Sequence, residues 1–272
     1  MALQTHAPAN PAEAYERIFV PTIFAAWAED LLRRAAPQPG ERVLDVACGT
    51  GIVARLAAPL VGSTGAVIGV DLNPGMLAIA RTAAAAEGAA IEWREGRGEA
   101  LPVEDAAFDL VCCQQGLQVV EDRGAGLREM RRALVPGGRL AVSVWQGIAH
   151  HPIYADLDEL VDRHFGMRAL AQSMFSLGDG DELRRLLREA GYRDVTIEPA
   201  SLTARLPDPG AFVQALMLSA AWALPEVRQM DAAARDALMA AALPDVEVAV
   251  RRYVDNGEVV FPYHAHVTRA RA

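Results

Sequence analysis

Short apolar runs alternate with stretches in which apolar residues recur every three or four positions, and this alternation fills the middle of the chain. RVLDVA (42–47) is an almost continuous apolar strand, as expected where both faces of a sheet are covered. AVIGVDL (66–72), IEWREG (91–96), FDLVCCQQ (108–115) and RLAVSVW (139–145) predict four more strands. Helical spacing separates them: GIVARLAAPL over 51–60, a helix over 74–88 opened by Pro74 and closed by Gly88, and one over 123–138 ended by a proline–glycine stop. Beyond residue 146 the pattern loosens. Helix is expected over 152–173, an amphipathic helix over 180–192 with Gly191 as its stop, a strand over 194–202, helix from about 209 to 254 and a last strand over 258–270. Ahead of the first strand, residues 11–36 predict one or two helices. The class is therefore α/β, with seven strands in a mostly parallel sheet and helices on both faces.

Composition narrows what such a fold could bind. The 272 residues carry 35 acidic against 26 basic side chains, for a formal charge of −9, and no basic stripe stands out. Nucleic acid and anionic membrane surfaces are thus excluded as expected partners. No apolar run approaches the roughly 18 residues that span a bilayer, and the first residues lack the pattern of a secretory signal. Cys48, Cys112 and Cys113 have no spacing that suggests a disulfide framework or a metal site, so a reducing cytoplasm is the expected compartment. Every basic residue is arginine. Without lysine, neither a G-x-x-x-x-G-K phosphate loop nor a lysine Schiff base can exist.

The chemistry concentrates where the first strand meets its helix, in VLDVACGTGIVARLAA (43–58). A nicotinamide fingerprint would read G-x-G-x-x-G; this turn has Ala47 and Gly49 at the equivalent points and Asp45 inside the strand. A carboxylate there would repel a pyrophosphate and suits a cationic ligand such as S-adenosylmethionine, which carries an ammonium and a sulfonium and no phosphate. The second strand ends in Asp71, 20 residues after Gly51, where an acid can accept both ribose hydroxyls of either cofactor.

Four ordered segments then carry a resemblance. Asp45-Val46-Ala47-Cys48-Gly49-Thr50-Gly51 resembles motif I of the class I methyltransferases that use S-adenosylmethionine, and VDLNPGMLAIAR is similar to their second motif. GEALPVEDAAFDLV resembles the segment bearing the adenine site, and LREMRRALVPGGRLAVSVW the late signature of the type 11, ubiquinone/menaquinone methyltransferase-like group. The resemblance covers residues 41–146, with a continuation through 180–202. It implies a Rossmann-like, doubly wound fold with helical cap additions. It also implies a division into an N-terminal helical lid (1–40), an S-adenosylmethionine-binding core (41–146), a helical cap segment (147–179) and a C-terminal part of the core (180–272) with a helical insertion at about 209–254.

The same resemblance assigns roles. Backbone at Ala47, Cys48, Gly49, Thr50 and Gly51 would approach the methionine part, with Asp45 receiving its ammonium. Asp71 would hold the ribose, Leu72 and Met76 would pack on the adenine, and Gly98 would offer it an N–H. Gln114 would face the methionine chain, with Gln115 and Gln118 beside it. Arg97 departs from the pattern: the family usually has an acid there for the adenine amino group, and arginine cannot accept that bond. Three readings stay open: Glu99 turned inward as the acceptor, the guanidinium stacked on the adenine, or Arg97 turned to solvent with no role.

The expected activity is methyl transfer to carbon or oxygen of a small, largely apolar metabolite, leaving S-adenosylhomocysteine. His151, then His150, just past the fifth strand, are the candidate bases. Tyr15, Phe19, Phe24 and Trp27, with Ile153, Tyr154, Phe175 and Met217, are the candidate acceptor wall. A homo-oligomer stays open. So do two other readings: a protein that keeps the cofactor fold but acts as a cyclase or non-catalytic partner, and an NAD-dependent oxidoreductase.

Overall fold

A computed structural model describes residues 10–83, 90–165, 169–223, 227 and 229–272. Its centre is a sheet of β1 (Arg42–Val46), β2 (Ala66–Asp71), β3 (Ile91–Glu95), β4 (Phe108–Gln114), β5 (Leu134–Trp145), β6 (Arg193–Leu206), β7 (Val254–Asp255) and β8 (Glu258–Arg271). The strand order is β3-β2-β1-β4-β5-β8-β6, with β7 paired on β8. Strands β1 to β5 run parallel, and β8 is antiparallel to both of its long neighbours. The order reverses between β1 and β4, and in open α/β sheets ligands gather beyond the strand ends at such a point.

The sheet has eight strands, not the seven expected. The additional one, β7, is made by an Asn-Gly hairpin: Asn256 and Gly257 take φ of 50° and 87°, which a two-residue type I′ turn demands. Among the described residues, the helix expected over 209–254 is broken into α9 (Pro209–Ala223), α10 (Ala232–Arg251) and the strand β7, with Asp231 capping α10 by accepting from Ala234 N at 2.8 Å. The proline–glycine stop also falls elsewhere. The helix α5 (Arg123–Ala133) ends first, and Leu134 already pairs with Phe108, so Pro136-Gly137 lies in a local irregularity of β5. Helix α4 is Pro74–Thr82, with Asn73 as N-cap; the expected stop at Gly88 lies outside the described residues.

The N-terminal stretch is one helical run with an interruption of type rather than of direction. α1 (Pro11–Ala14) passes into a π-helical turn set over Tyr15–Phe24 and then into α2 (Ala25–Ala35). Pro21 lies inside the wide segment, where its missing N–H and its ring disfavour the ordinary i→i−4 ladder. Arg55 of α3 (Ile52–Val61) ties this run to the core, donating to both carboxylate oxygens of Glu16 at 2.8 and 3.0 Å.

Two apolar layers sandwich the sheet. On one face α2 and α3 bury Trp27, Leu31, Val53 and Ala57 against β1, β4, β5 and β8. On the other, α5 and α8 (Gly180–Glu189) bury Leu127, Met130, Leu183 and Leu187. α6 (Pro152–Phe165), α7 (Ala169–Gln172), α9 and α10 stack over the first layer beyond the C-terminal ends of β1, β4 and β5.

Candidate active site

A cavity of about 800 Å³ opens at the switch point, at the upper end of the ~300–1,000 Å³ usual for small-molecule sites. One end is the glycine turn. Ala47 and Gly49 both take φ of 56°, which turns the chain sharply out of β1. Asp71, at the end of β2, fixes the turn: one carboxylate oxygen accepts from Gly49 N at 2.7 Å and the other from Asn73 N at 2.8 Å. Burial raises its carboxyl above the ordinary range, and those two bonds work against the rise. Ala47, Asp71 and Met76 line the cavity here, together with Gln114, Gln115 and Gln118 at the end of β4.

The three glutamines say what this end needs. Gln114 donates to the Phe24 carbonyl at 2.9 Å, and Gln115 to Ser143 Oγ at 3.4 Å. The Oε1 atoms of all three are buried with no hydrogen-bond partner among the described residues. A buried orphan acceptor costs about 1–3 kcal/mol, so a ligand that brings donors and positive charge is favoured. That is the character of the methionine end of S-adenosylmethionine, and the Asp71 carboxylate on the cavity wall is an acceptor of the kind a ribose requires. The residues present fit the cofactor.

Other residues at this end stand differently from expectation. Asp45 does not line the cavity; it is buried and accepts from Ala54 N at 3.1 Å, fixing the start of α3, and burial pushes its pKa up to about 8. Gly51, with φ of 88°, is needed for packing: a Cβ there would run into the indole of Trp93. Cys48 is buried away from the cavity, and Thr50 Oγ1 is buried without a partner among the described residues. Over Gly49 sits Tyr15, 3.7 Å from where a Cβ would be.

The adenine assignments also shift. Leu72 is exposed, and Gly98 packs under Val120. Arg97 points away from the cavity to Glu121 at 2.7 Å, with Glu99 at 3.6 Å. Glu99 does not turn inward either; it accepts from Glu121 N and Asp122 N at 2.9 and 3.3 Å, holding the approach to α5. Val119, exposed and on the cavity wall, is a residue the sequence reading missed.

The opposite end is apolar and aromatic. Tyr15, seated over Gly49, joins it to the turn, and Phe19, Phe24, Tyr154 and Met217 line it. Trp27, Ile153 and Phe175 do not: Trp27 packs edge-on to Trp145 at 5.5 Å, and all three are core residues. His151 is not a base. Its Nε2 accepts from His264 N at 3.0 Å and its Nδ1–H donates to the Gly147 carbonyl at 3.3 Å, so both nitrogens are spent on backbone. It is fully buried, and desolvation lowers its pKa to about 4. His150 is exposed and outside the cavity. The histidine on the wall is His164, whose Nε2 bonds Asp245 Oδ2 at 2.9 Å. Trp145 and Tyr263 also line this end. Alternation along β8 places Val259, Phe261, Tyr263 and Ala265 on the buried side, and that period of two was the available signal for Tyr263.

A doubly wound sheet with a glycine turn, an acid ending β2 and donor-hungry glutamines ending β4 defines a class I methyltransferase that uses S-adenosylmethionine. The model of the ubiE/COQ5 methyltransferase family matches residues 13–204, and the chain belongs to that family. Among curated relatives, the ubiquinone/menaquinone biosynthesis C-methyltransferase UbiE of Xanthomonas campestris is 36% identical over 184 residues, 62% of this chain and 73% of the relative. Among solved structures, the YcgJ protein of Bacillus subtilis superposes with a TM-score of 0.57 at 18% identity, covering 90% of this chain and 97% of that one. The cyclase SpnF superposes with a TM-score of 0.53 at 21% identity over 90% of this chain and 80% of its own, so the fold by itself is shared with a different chemistry. The family match decides for an S-adenosylmethionine-dependent methyltransferase. Among the described residues no helix is long and apolar enough to cross a membrane, and no cluster of three metal-ligating side chains occurs.

Proposed function

We propose that the enzyme methylates a ring carbon of a small, largely apolar, quinone-type aromatic. The observation that carries this reading is the two-ended cavity. Its volume of about 800 Å³ gives room for two ligands, with cofactor chemistry at one end and aromatic walls at the other. The named activity of the UbiE relatives, C-methylation in ubiquinone and menaquinone biosynthesis, supports the choice of carbon and of ring.

When bound, S-adenosylmethionine supplies a methyl group already activated on a sulfonium. Asp71 would hold the ribose, Met76 and Val119 would flank the adenine, and the glutamine oxygens of Gln114 and Gln115 would accept from the ammonium. The protein's remaining task is alignment and exclusion of water, which can supply much of the acceleration. Residues 1–40 would act as a lid through Tyr15, Phe19 and Phe24, and the segments 147–179 and 209–254 as a cap through Tyr154, His164 and Met217. His150 and His151 lie outside the cavity, so a base, where one is needed, would be His164, which lines the cavity and bonds Asp245.

Incubation with labelled S-adenosylmethionine and a panel of hydroquinones and naphthohydroquinones tests the reading. S-adenosylhomocysteine should form with label on a ring carbon. Label on oxygen alone, or turnover only with amines, would refute it.

A further inference from the structure

We infer that Tyr154 and Tyr263 form a paired-phenol donor that binds a ring oxygen of the methyl acceptor in its ionised form. The inference rests on the proposed aromatic acceptor and assigns it a specific anchoring point.

Tyr154 comes from α6 and Tyr263 from β8, and their hydroxyls are hydrogen-bonded to one another inside the cavity wall. Two phenols have two protons, and the bond between them uses one. The second O–H has no acceptor among the hydrogen bonds of the described residues. Both side chains are almost wholly buried in an apolar cluster, with rings beside them: Trp145 at 4.6 Å and Phe261 at 5.2 Å from Tyr263, Phe175 at 5.4 Å from Tyr154. An uncommitted donor in such surroundings is costly unless a ligand meets it.

The titratable groups beside the pair are Tyr15 and His151. Tyr15 acts electrostatically on Tyr263, and the His151 ring lies 5.6 Å from it with both nitrogens spent on backbone. Burial, the largest cause, pushes the Tyr154 phenol up to about 12 and Tyr263 well above its ordinary value, so both stay protonated as donors near neutral pH. The glutamine end offers acceptors, whereas this end offers a proton. That polarity matches an acceptor whose oxygen carries negative charge, and a donor to charged oxygen is stronger than one to neutral oxygen.

The pair also fits the chemistry of carbon methylation. With the acceptor bound as its phenolate, the ring carbon beside that oxygen forms the bond to the methyl group. The electron pair of the broken methyl–sulfur bond stays on sulfur, and the proton on that carbon passes to the oxygen through solvent. Phenolate and sulfonium enter, and neutral phenol and thioether leave, so charge balances. The tyrosines touch the acceptor oxygen throughout and exchange no proton.

The test uses the full chain with S-adenosylhomocysteine, and 4-nitrophenol with its oxygen-free counterpart 4-nitrotoluene as probes. The wild type should bind 4-nitrophenolate better than 4-nitrotoluene. At least one of Tyr154→Phe and Tyr263→Phe should weaken the phenolate about tenfold and leave 4-nitrotoluene within about twofold. The pKa of the bound 4-nitrophenol, followed by its own visible absorbance, should rise by about one pH unit in that variant, the same tenfold factor. Equal weakening of both probes would reduce the pair to packing and overturn the inference, as would an unchanged pKa in both variants or a wild type that does not discriminate. Because no turnover is involved, these results stand apart from the labelling experiment. Probe discrimination without ring methylation would refute the proposed function and leave the oxyanion site standing.

Discussion

The two ends of the cavity are built by different means. The end proposed for the cofactor is made of main-chain groups and a few side chains at the ends of β1, β2 and β4: the turn at Ala47–Gly49, Asp71 holding Gly49 N and Asn73 N, and the glutamines after β4. At the acceptor end the wall is side chains delivered by elements far apart in the chain, Phe24, Trp145, Tyr154, Met217 and Tyr263. A backbone-built site depends on local conformation and tolerates little change. A side-chain-built one can be rewritten residue by residue while the sheet stays as it is. That contrast explains how one fold serves many acceptors with one cofactor.

The contrast can be broken first at its buried histidine. His151 supports the acceptor end as a neutral ring with a folded pKa of about 4, against an ordinary value near 6.5. Between those values the unfolded chain binds the extra proton, so stability falls as pH drops from about 6.5 towards 4, by at most about 3 kcal/mol. Denaturant unfolding across that range should show this slope, and His151→Gln should remove it. The same slope in the variant would place the titration elsewhere.

Next comes the cofactor end. Asp71→Ala removes the proposed ribose acceptor and the bonds that hold the turn, and should weaken S-adenosylhomocysteine by about 2–3 kcal/mol, on the order of 100-fold. Binding of 4-nitrotoluene at the other end should stay within about twofold. Calorimetry showing full cofactor affinity would sink the ribose assignment.

The seam between the ends should respond less. Glu16 and Arg55 are 21% and 14% exposed and join the π-helical segment to α3. Glu16→Gln should loosen that segment at a cost of about 1 kcal/mol, read as a roughly fivefold rise in KM for the cofactor. Unchanged steady-state constants would make the pair ornamental to binding. The smallest effect is expected at Arg97, which is turned to Glu121 on the surface. Arg97→Asp should change cofactor affinity by less than about twofold, within the scatter of surface substitutions. A fivefold change in either direction would bring residue 97 back to the adenine.

What the sequence could reveal follows the same division. β1 to β5 were legible because continuous apolar runs between helical stretches are a local signal, and Asp71 because it ends the second of them. The Asn256-Gly257 turn is equally local, between the helix expected to 254 and the strand expected from 258, but the two-residue strand before it is too short to leave a pattern. Burial was not legible. His150 and His151 sit at the right distance along the chain from β5, yet one is turned outward and the other spends both nitrogens on backbone. The motif suggests a ligand contact at Gly51, whereas the space above it is filled by Trp93, 42 residues later in the chain. Tyr263 meets Tyr154 across a separation of 109 residues, which no spacing rule encodes. Such pairs are products of topology.

Strand β8 has a consequence for how the enzyme comes into being on the ribosome. It lies between β5 and β6, pairing with both along most of its length, and it follows both in the chain. During synthesis β5 and β6 therefore wait with open hydrogen-bonding edges until residues 258–271 emerge, and two such edges invite pairing with other nascent chains. The glycine turn is flanked by β1, β2 and β4, and the last of these ends at Gln114, long before that. A translating chain should thus gain the capacity to hold its cofactor before it has the wall that receives an acceptor, because Tyr263 arrives with the last strand to be inserted.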